Sequence, residues 1–233
     1  MKIVAIGGGH IGEANYEYEL DLIDKKIVEL SGKEKPNFLF IGLANKYPDS
    51  YYDKIKNIYK KLGCVTGKIS NKTLTHMEVV EKKINEADII YIGGGDTYKL
   101  MRAVKDNGID KMLDDALKRG CVMSGISAGA IIWCKNGLSD YMIEAGKSDK
   151  FHLIDGLGYL DFTYVPHYSK NDNRKNDLKE IIKDKNYKVL GFDNCTAIVI
   201  ENNKSSYIRS LEDRNVYEVS YINNKYKEKK LIK

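Results

Sequence analysis

Short apolar runs alternate with segments of helical periodicity along most of the chain, and this alternation limits the possible fold more than any other feature of the sequence. The runs have the length and the β-branched content of buried strands. They cover residues 3–6, 38–43, 89–92, 122–123, 164–165 and 189–192. Because strands that alternate with helices are joined by crossovers, the pattern predicts an α/β three-layer sandwich with a mostly parallel central sheet and helices on both faces.

The chain after residue 192 has a different pattern. TAIVIE, SYIRS and VYEVSYI have the composition of strands, and turns of the NNK type separate them without intervening helices. Consecutive strands that are joined by short turns pair antiparallel. We therefore expect an antiparallel C-terminal extension.

Length and composition favour one domain. The chain has 233 residues, of which 42% are hydrophobic and 30% charged, and no Pro-, Gly- or Ser-rich linker interrupts it. These values are typical of a globular protein with its own core. We predict a single domain over residues 1–233, in a monomer or a homodimer.

Charge and cysteine usage argue against several classes of protein. The net charge of +5 is spread along the chain, and Lys is concentrated only in the terminal KYKEKKLIK, so we expect no nucleic-acid partner. Cys64, Cys121, Cys134 and Cys195 form no C-x-x-C pair, which favours free thiols in the cytoplasm over a disulfide framework or a metal site. No apolar run reaches membrane-spanning length, so we expect no membrane partner.

Four loops that follow predicted strands are candidates for the functional site. They carry the sequences GGGHIG, GGGDT, GISAGA and PHYS. In an open parallel sheet, ligands bind beyond the carboxyl ends of the strands. The chemistry of the protein is therefore expected in these loops.

The loop GISAGA has the G-x-S-x-G pattern of a nucleophile elbow, with Ser127 between a predicted strand at 121–124 and a predicted helix at 128–134. Gly125 and Gly129 would let the strand and the helix approach each other. The N–H of Ala128 would then point to the developing negative charge of a substrate carbonyl, and Gly95 of GGGDT is a candidate for the second donor. The alternatives are a serine that only caps the helix and a GGGDT loop that binds phosphate or merely starts a helix.

The general base is sought among four histidines. His167 follows the predicted strand FTYVP directly and is the best candidate, with a purely structural histidine as the alternative. The residue that would orient its imidazole is less determined. Asp193 after the next strand is the first choice, and Asn194, Asp140 and Glu144 are alternatives.

Three other functions remain open from the residues alone. GGGHIG fits the dinucleotide pattern G-x-G-x-x-G, but the predicted second strand FLFIGLANK ends without the acidic residue that such a site requires, so we expect no cofactor. An esterase-type serine hydrolase and a catalytically weak binding domain are the other two. The favoured hypothesis is acyl transfer through an acyl-enzyme on Ser127.

The motifs GGGDT, GISAGA and PHY, in this order, resemble those of the aspartyl dipeptidase (dipeptidase E) and cyanophycinase family of serine peptidases. The resemblance implies a fold like that of class I glutamine amidotransferases, with Ser127 as nucleophile, His167 as base and the amides of Gly95 and Ala128 as oxyanion hole. It also implies a small peptide as substrate.

Two positions bear on how far the resemblance extends. In that family the third member of the triad is typically a Glu, at a position where this chain has Asn194. The dipeptidase branch binds the acidic side chain of an N-terminal Asp through basic residues downstream of the histidine. Arg174 in NDNRKND resembles one of these residues.

Overall fold

The computed structural model describes residues 1–12, 16–45, 48–170, 172–183, 185–222 and 225–232. In chain order, the strands are β1 (Lys2–Ile6), β2 (Asn37–Gly42), β3 (Val65–Ser70), β4 (Ile89–Ile92), β5 (Val122–Ile126), β6 (Cys134–Ser139), β7 (His152–Asp155), β8 (Leu160–Pro166), β9 (Val189–Phe192), β10 (Thr196–Glu201), β11 (Lys204–Arg209), β12 (Val216–Ile222) and β13 (Lys225–Lys230). The α-helices are α1 (Asp21–Ser31), α2 (Pro48–Lys61), α3 (Met77–Glu86), α4 (Thr97–Asp106), α5 (Ile109–Lys118), α6 (Ala128–Ile131), α7 (Tyr141–Glu144) and α8 (Asp172–Ile182), and a 3₁₀ helix covers Asn71–Thr75.

The strands form two sheets. The first has seven strands in the order β11-β10-β1-β5-β4-β2-β3, and the second has six in the order β13-β12-β9-β8-β6-β7. In the first sheet β1, β5, β4, β2 and β3 pair parallel, while β10 pairs antiparallel with β1 and β11. In the second sheet β8 pairs parallel with β6 and β9, and the outer strands pair antiparallel.

Alternate residues of the central strands supply two apolar layers. Val4 and Phe38 belong to a cluster with α1 and α2, whereas Ile3 and Leu39 belong to a cluster with α3, α4 and α5 on the opposite face. This alternation is the period of a strand, and burial on both faces explains why these strands are continuous apolar runs. The second sheet packs against the same cluster as α3, α4 and α5, through residues such as Tyr164 and Phe192.

The predicted α/β class, with helices on both faces of a mostly parallel sheet, is confirmed. Two details differ from the prediction. The predicted strands at 164–165 and 189–192 lie in the second sheet rather than in the central one, and the C-terminal strands are divided between the two sheets. The single domain over residues 1–233 stays a prediction.

The helix predicted over 128–134 is much shorter in the structure. α6 has four residues and ends at Ile131, and β6 begins at Cys134. The carbonyls of Ile132 and Trp133 accept hydrogen bonds from the N–H groups of Leu157 and Leu160. Because these carbonyls are used by a distant segment, the helix does not continue. Within the described residues, none of the helices has the length and apolar character needed to cross a membrane.

Candidate active site

Ser127 lies on the turn between β5 and α6, with a φ of 55° and a ψ of −114°. A side chain on Gly125 would overlap the carbonyl oxygen of Gly129, and one on Gly129 would overlap the carbonyl oxygen of Ile92. Both glycines are therefore required by the close approach of backbone to backbone. A non-glycine residue at positive φ costs about 1–3 kcal/mol, which is typical of a residue held in place for a function.

His167 meets this serine from the second sheet. It follows β8 directly, and its Nε2 lies 2.5 Å from the Oγ of Ser127. The N–H groups of His167 and Tyr168 both donate to the carbonyl oxygen of Phe192 at the end of β9. The structure thus brings together the two residues that the sequence predicts as nucleophile and base.

The other ring nitrogen of His167 contacts Asn194. The distance from Nδ1 to the Oδ1 of Asn194 is 2.8 Å. An amide oxygen can only accept a hydrogen bond, so Nδ1 carries the proton and Nε2 presents its lone pair to Ser127. This is the tautomer that a general base toward Ser127 requires.

Asp193, the first choice from the sequence for this position, lies elsewhere and has another role. Its carboxylate accepts hydrogen bonds from the N–H groups of Ser169, at 3.1 Å, and of Asn215, at 3.0 Å. Asp193 and Asn194 lie in the short connection between β9 and β10, with Asn194 in the turn. The structure therefore places Asn194 against the imidazole and Asp193 against the backbone amides of Ser169 and Asn215, and the third member of the triad stays a prediction.

The other acidic alternatives also face other groups. Asp140 lies 3.8 Å from the Nη2 of Arg174, measured from its Oδ2. Glu144 is on α7, where burial and then the charges of Asp140 and Asp96 raise the pKa of its carboxyl. Asp140 influences His167 through its charge only, and it acts to raise the pKa of the imidazole.

The first glycine-rich loop packs directly against His167 and Asn194. A side chain on Gly8 would overlap the Nδ1 of His167 and the Oδ1 of Asn194. The carbonyl oxygen of Gly8 also accepts a hydrogen bond from the N–H of Cys195, at 2.8 Å. The sequence analysis considered this loop only as a nucleotide motif and missed this role, although its position after β1 at the carboxyl edge of the sheet was the available signal.

The predicted oxyanion donors lie next to the serine turn. Ala128 is the first residue of α6, so its N–H has no acceptor within that helix. Gly94 packs against Ser127, and Gly95 follows it with a φ of 134°. The assignment of Gly95 and Ala128 as an oxyanion hole stays a prediction.

Burial is the main influence on the pKa of the His167 imidazole. The pKa of His167 is lowered to about 4, mainly by burial. The charges of Arg174 and Lys170 also act to lower it, and the hydrogen bond with Asn194 acts to raise it. His167 is therefore neutral near pH 7 and able to accept a proton.

Two cavities border His167. The first, which we call the nucleophile cavity, has a volume of about 340 Å³. It is lined by Gly8, Gly9, Ile11, Asn45, Ser50, Tyr51, Lys54, Gly94, Ile126, Ser127 and His167. The second, which we call the arginine cavity, has a volume of about 260 Å³ and is lined by Asp140, Phe151, His167, Lys170 and Arg174.

Arg174 is a buried cation with incomplete pairing. The residue is 6% exposed, and its guanidinium stacks on the ring of Phe151 at 4.2 Å. Among the described residues its Nε has no hydrogen-bond partner, and the contact with Asp140 is long. Burial lowers the pKa of the guanidinium to about 10. An anion in the arginine cavity would compensate this charge.

The described residues contain no group of three or more His, Cys, Asp or Glu side chains that is placed to hold a metal ion. The side chain that contacts the Oγ of Ser127 is the imidazole of His167, an arrangement that can serve acyl transfer.

Comparison with known proteins adds three findings. The model of peptidase family S51 matches residues 3–208. The uncharacterized peptidase YgaJ of Bacillus subtilis is 31% identical over 186 residues, which are 79% of this chain and 76% of YgaJ. Peptidase E of Salmonella gallinarum is 34% identical over 180 residues, or 73% of this chain and 71% of that protein.

A solved structure has the same fold. It is the crystal structure of a peptidase from an acI-B1 actinobacterium, which covers 99% of this chain and 93% of its own with a TM-score of 0.73. The sequence identity is 18%, so this similarity concerns the fold alone.

Proposed function

The chain belongs to peptidase family S51, and from that premise we propose that Ser127 is its nucleophile, that His167 is its general base, and that it cleaves short peptides after an acidic residue. The observation that carries the proposal is the chain of contacts from the Oγ of Ser127 through His167 to Asn194, at 2.5 Å and 2.8 Å. These are the distances at which a base can take the proton of a nucleophile.

In the first half of the reaction, the Oγ of Ser127 attacks the carbonyl carbon of the scissile peptide bond while its proton passes to the Nε2 of His167. The carbonyl oxygen becomes an oxyanion, which the N–H groups of Gly95 and Ala128 would stabilise. The tetrahedral intermediate then collapses, the C–N bond breaks, and the imidazolium gives its proton to the leaving amine. The acyl group remains on Ser127 as an ester.

In the second half, a water molecule takes the place of the amine. His167 accepts a proton from this water, the resulting hydroxide attacks the ester carbonyl, and the same donors stabilise the second oxyanion. Collapse releases the carboxylic acid and returns the proton to Ser127. No net oxidation or reduction occurs, and one water is consumed for each bond cleaved.

Asn194 supplies orientation without charge. Its amide oxygen holds the Nδ1 proton of the imidazole, as a carboxylate would, so the tautomer is correct. A carboxylate would also stabilise the imidazolium that forms in the transition state, and a neutral amide does this less well. We therefore propose an enzyme whose base is well placed and weakly activated.

The arginine cavity supports the preference for an acidic residue. Arg174 and Lys170 are two cations against the single carboxylate of Asp140, and His167 forms one wall of the same cavity. An acidic side chain placed there would pair with the buried guanidinium while its own carbonyl group lies near the imidazole. The residue before the scissile bond is therefore proposed to be Asp or Glu.

The test is a panel of dipeptides, with Asp-Ala, Glu-Ala, Asn-Ala and Ala-Ala as substrates. We expect the acidic dipeptides to be cleaved and Ser127→Ala to abolish the cleavage, while Ser205→Ala on the exposed strand β11 leaves it unchanged. Lys170→Ala should reduce the preference for Asp over Asn. Cleavage that survives Ser127→Ala, or no cleavage of any member by the unchanged protein, would refute the proposal.

We also propose a cytoplasmic location. Cys64, Cys121, Cys134 and Cys195 are free thiols and all are buried in the fold. Free thiols persist in reducing compartments. Labelling of the four thiols in protein purified under non-reducing conditions tests this statement.

A further inference from the structure

We propose that Lys54 binds the C-terminal carboxylate of the substrate. The inference rests on the proposed function, because it uses Ser127 as the nucleophile. It assigns a specificity-determining role to a residue of α2 that neither the motifs nor the His167 loop contain.

Lys54 lies in the wall of the nucleophile cavity together with Ser127. Its ammonium donates one hydrogen bond to the carbonyl oxygen of Gly12, at 2.9 Å, and an ammonium has three donors. Within the described parts of the chain, no carboxylate forms an ion pair with Lys54. The ammonium of Lys54 is thus positioned by a neutral acceptor and has N–H donors left to bind an anion.

The start of α2 adds to the positive potential of the same wall. Ser50 and Tyr51 belong to the first turn of this 14-residue helix, and both line the nucleophile cavity. The dipole of a helix favours negative charge at its N-terminal end, and the carboxylate of Asp49 in this turn pairs with Lys68. A carboxylate beside Lys54 would therefore be stabilised by the helix as well as by the ammonium.

The two cavities that His167 borders are proposed to receive the two sides of the scissile bond. The acidic side chain before the scissile bond occupies the arginine cavity, which His167 shares with Arg174. The imidazole must hand its proton to the leaving amine, so the leaving residue lies on the side of Ser127. That side is the nucleophile cavity.

The size of the nucleophile cavity matches a leaving group of one residue. Its volume of about 340 Å³ is at the lower end for ligand sites. One residue of extended chain spans only about 3.3–3.6 Å. A leaving group of one residue therefore ends inside this cavity, and its α-carboxylate is the group that a cation in the wall would recognise.

The experiment compares Asp-Ala and Asp-Ala amide as substrates. We expect kcat/KM for Asp-Ala to exceed that for the amide by about 10-fold or more, since a hydrogen bond to a charged group contributes at least that factor. Lys54→Met should remove this difference by lowering the value for the free acid to that for the amide. Lys54→Arg should restore part of it, and Lys60→Met, on the same helix outside the cavity, should behave as the unchanged protein.

Binding to an inactive variant separates the inference from the proposed function. In the Ser127→Ala background, calorimetry should give about 10-fold tighter binding of Asp-Ala than of its amide, and the added Lys54→Met should abolish the difference. Equal cleavage and equal binding of acid and amide would overturn the role of Lys54 and leave the peptidase mechanism standing. Tighter binding of the acid without any turnover by the unchanged protein would support the carboxylate site and refute the proposed nucleophile.

Discussion

Ser127 and His167 meet at one site but are held there by different means. The Ser127 turn is fixed by backbone packed on backbone, since Gly125 lies against Gly129 and Gly129 against Ile92. The His167 loop is fixed by side chains and hydrogen bonds from distant segments, among them Asn194 and Gly8. Packed backbone segments cannot separate without moving a strand or a helix, whereas a side chain can shift to another position. Substitutions in the Ser127 turn should therefore affect folding, and substitutions in the His167 loop should affect the rate of the reaction.

The largest effect is expected at the Ser127 turn. Gly125→Ala would place a Cβ on the carbonyl oxygen of Gly129, and neither strand nor helix can move without opening the sheet. We expect a loss of about 4 kcal/mol or more in the free energy of unfolding, or no folded protein. Urea denaturation followed by circular dichroism measures this loss.

The control for this substitution is Gly67→Ala. Gly67 lies in β3, and the nearest atom to a Cβ there would be 3.8 Å away. Alanine at this position should leave the free energy of unfolding within about 1 kcal/mol of the original value, since its Cβ would make an ordinary van der Waals contact with Leu39. A Gly125→Ala protein as stable as Gly67→Ala would contradict the backbone account of the turn.

The next largest effect is expected at Gly8, which packs against the imidazole of His167. Gly8→Ala would place a Cβ on the ring of His167 and on the amide of Asn194, so the ring would have to shift away from Ser127. A displacement of this kind can cost about 100-fold in rate. We expect kcat to fall by that factor in the dipeptide assay, with a smaller loss of stability than for Gly125→Ala.

The pattern of results at Gly8 and Gly125 is itself a test. If Gly8→Ala unfolds the protein while Gly125→Ala only slows it, the contrast between the two regions is reversed. An unchanged kcat for folded Gly8→Ala would show that the loop does not position the imidazole.

The same contrast explains what could be predicted from the sequence. The Ser127 turn depends on five consecutive residues, so the G-x-S-x-G pattern was sufficient to find it, and the apolar runs of β1, β2, β4 and β5 were equally local. The family match confirms the prediction of a peptidase. The assignment of β8 and β9 to a second sheet depends on pairing between distant strands, which no local pattern contains.

Three features of the structure were not predicted, for the same reason. Which of the two neighbouring side chains, Asp193 or Asn194, faces His167 depends on the conformation of the turn between β9 and β10, which the residues alone do not define. The strand β6, with its polar sequence CKNGLS, was not predicted, and its first residue Cys134 was assigned to a helix, because only the neighbours β7 and β8 make it a strand. The role of Gly8 was missed because its partners are far away in the sequence.

A smaller effect is expected at Asp193, which supports the His167 loop without touching the substrate. Its two carboxylate oxygens accept from Ser169 and Asn215, and the amide of Asp193→Asn has only one acceptor oxygen for these two donors. We expect a loss of about 1–3 kcal/mol in the free energy of unfolding. The loosened loop should lower kcat by about 10-fold with little change in KM, because the misplaced ring affects the reaction rather than binding.

Steady-state kinetics of folded Asp193→Asn give the separation of kcat from KM. Asp193→Glu keeps both acceptor oxygens and should recover part of kcat. A rise in KM with an unchanged kcat would instead place Asp193 in substrate binding.

The smallest change in rate, and the sharpest in pH dependence, is expected for Asn194→Asp. Burial lowers the pKa of His167 to about 4, and activity requires the neutral imidazole, so the unchanged protein should keep its activity down to about pH 4 and lose it below. A carboxylate beside Nδ1 favours the imidazolium and raises this pKa. The acidic limb of the profile of kcat/KM against pH should therefore move to higher pH by one unit or more, while kcat on the plateau rises by up to about 10-fold through stabilisation of the imidazolium in the transition state. An acidic limb that stays in place would mean that position 194 does not interact with the base, and the side-chain account of the His167 loop would then fail at its central contact.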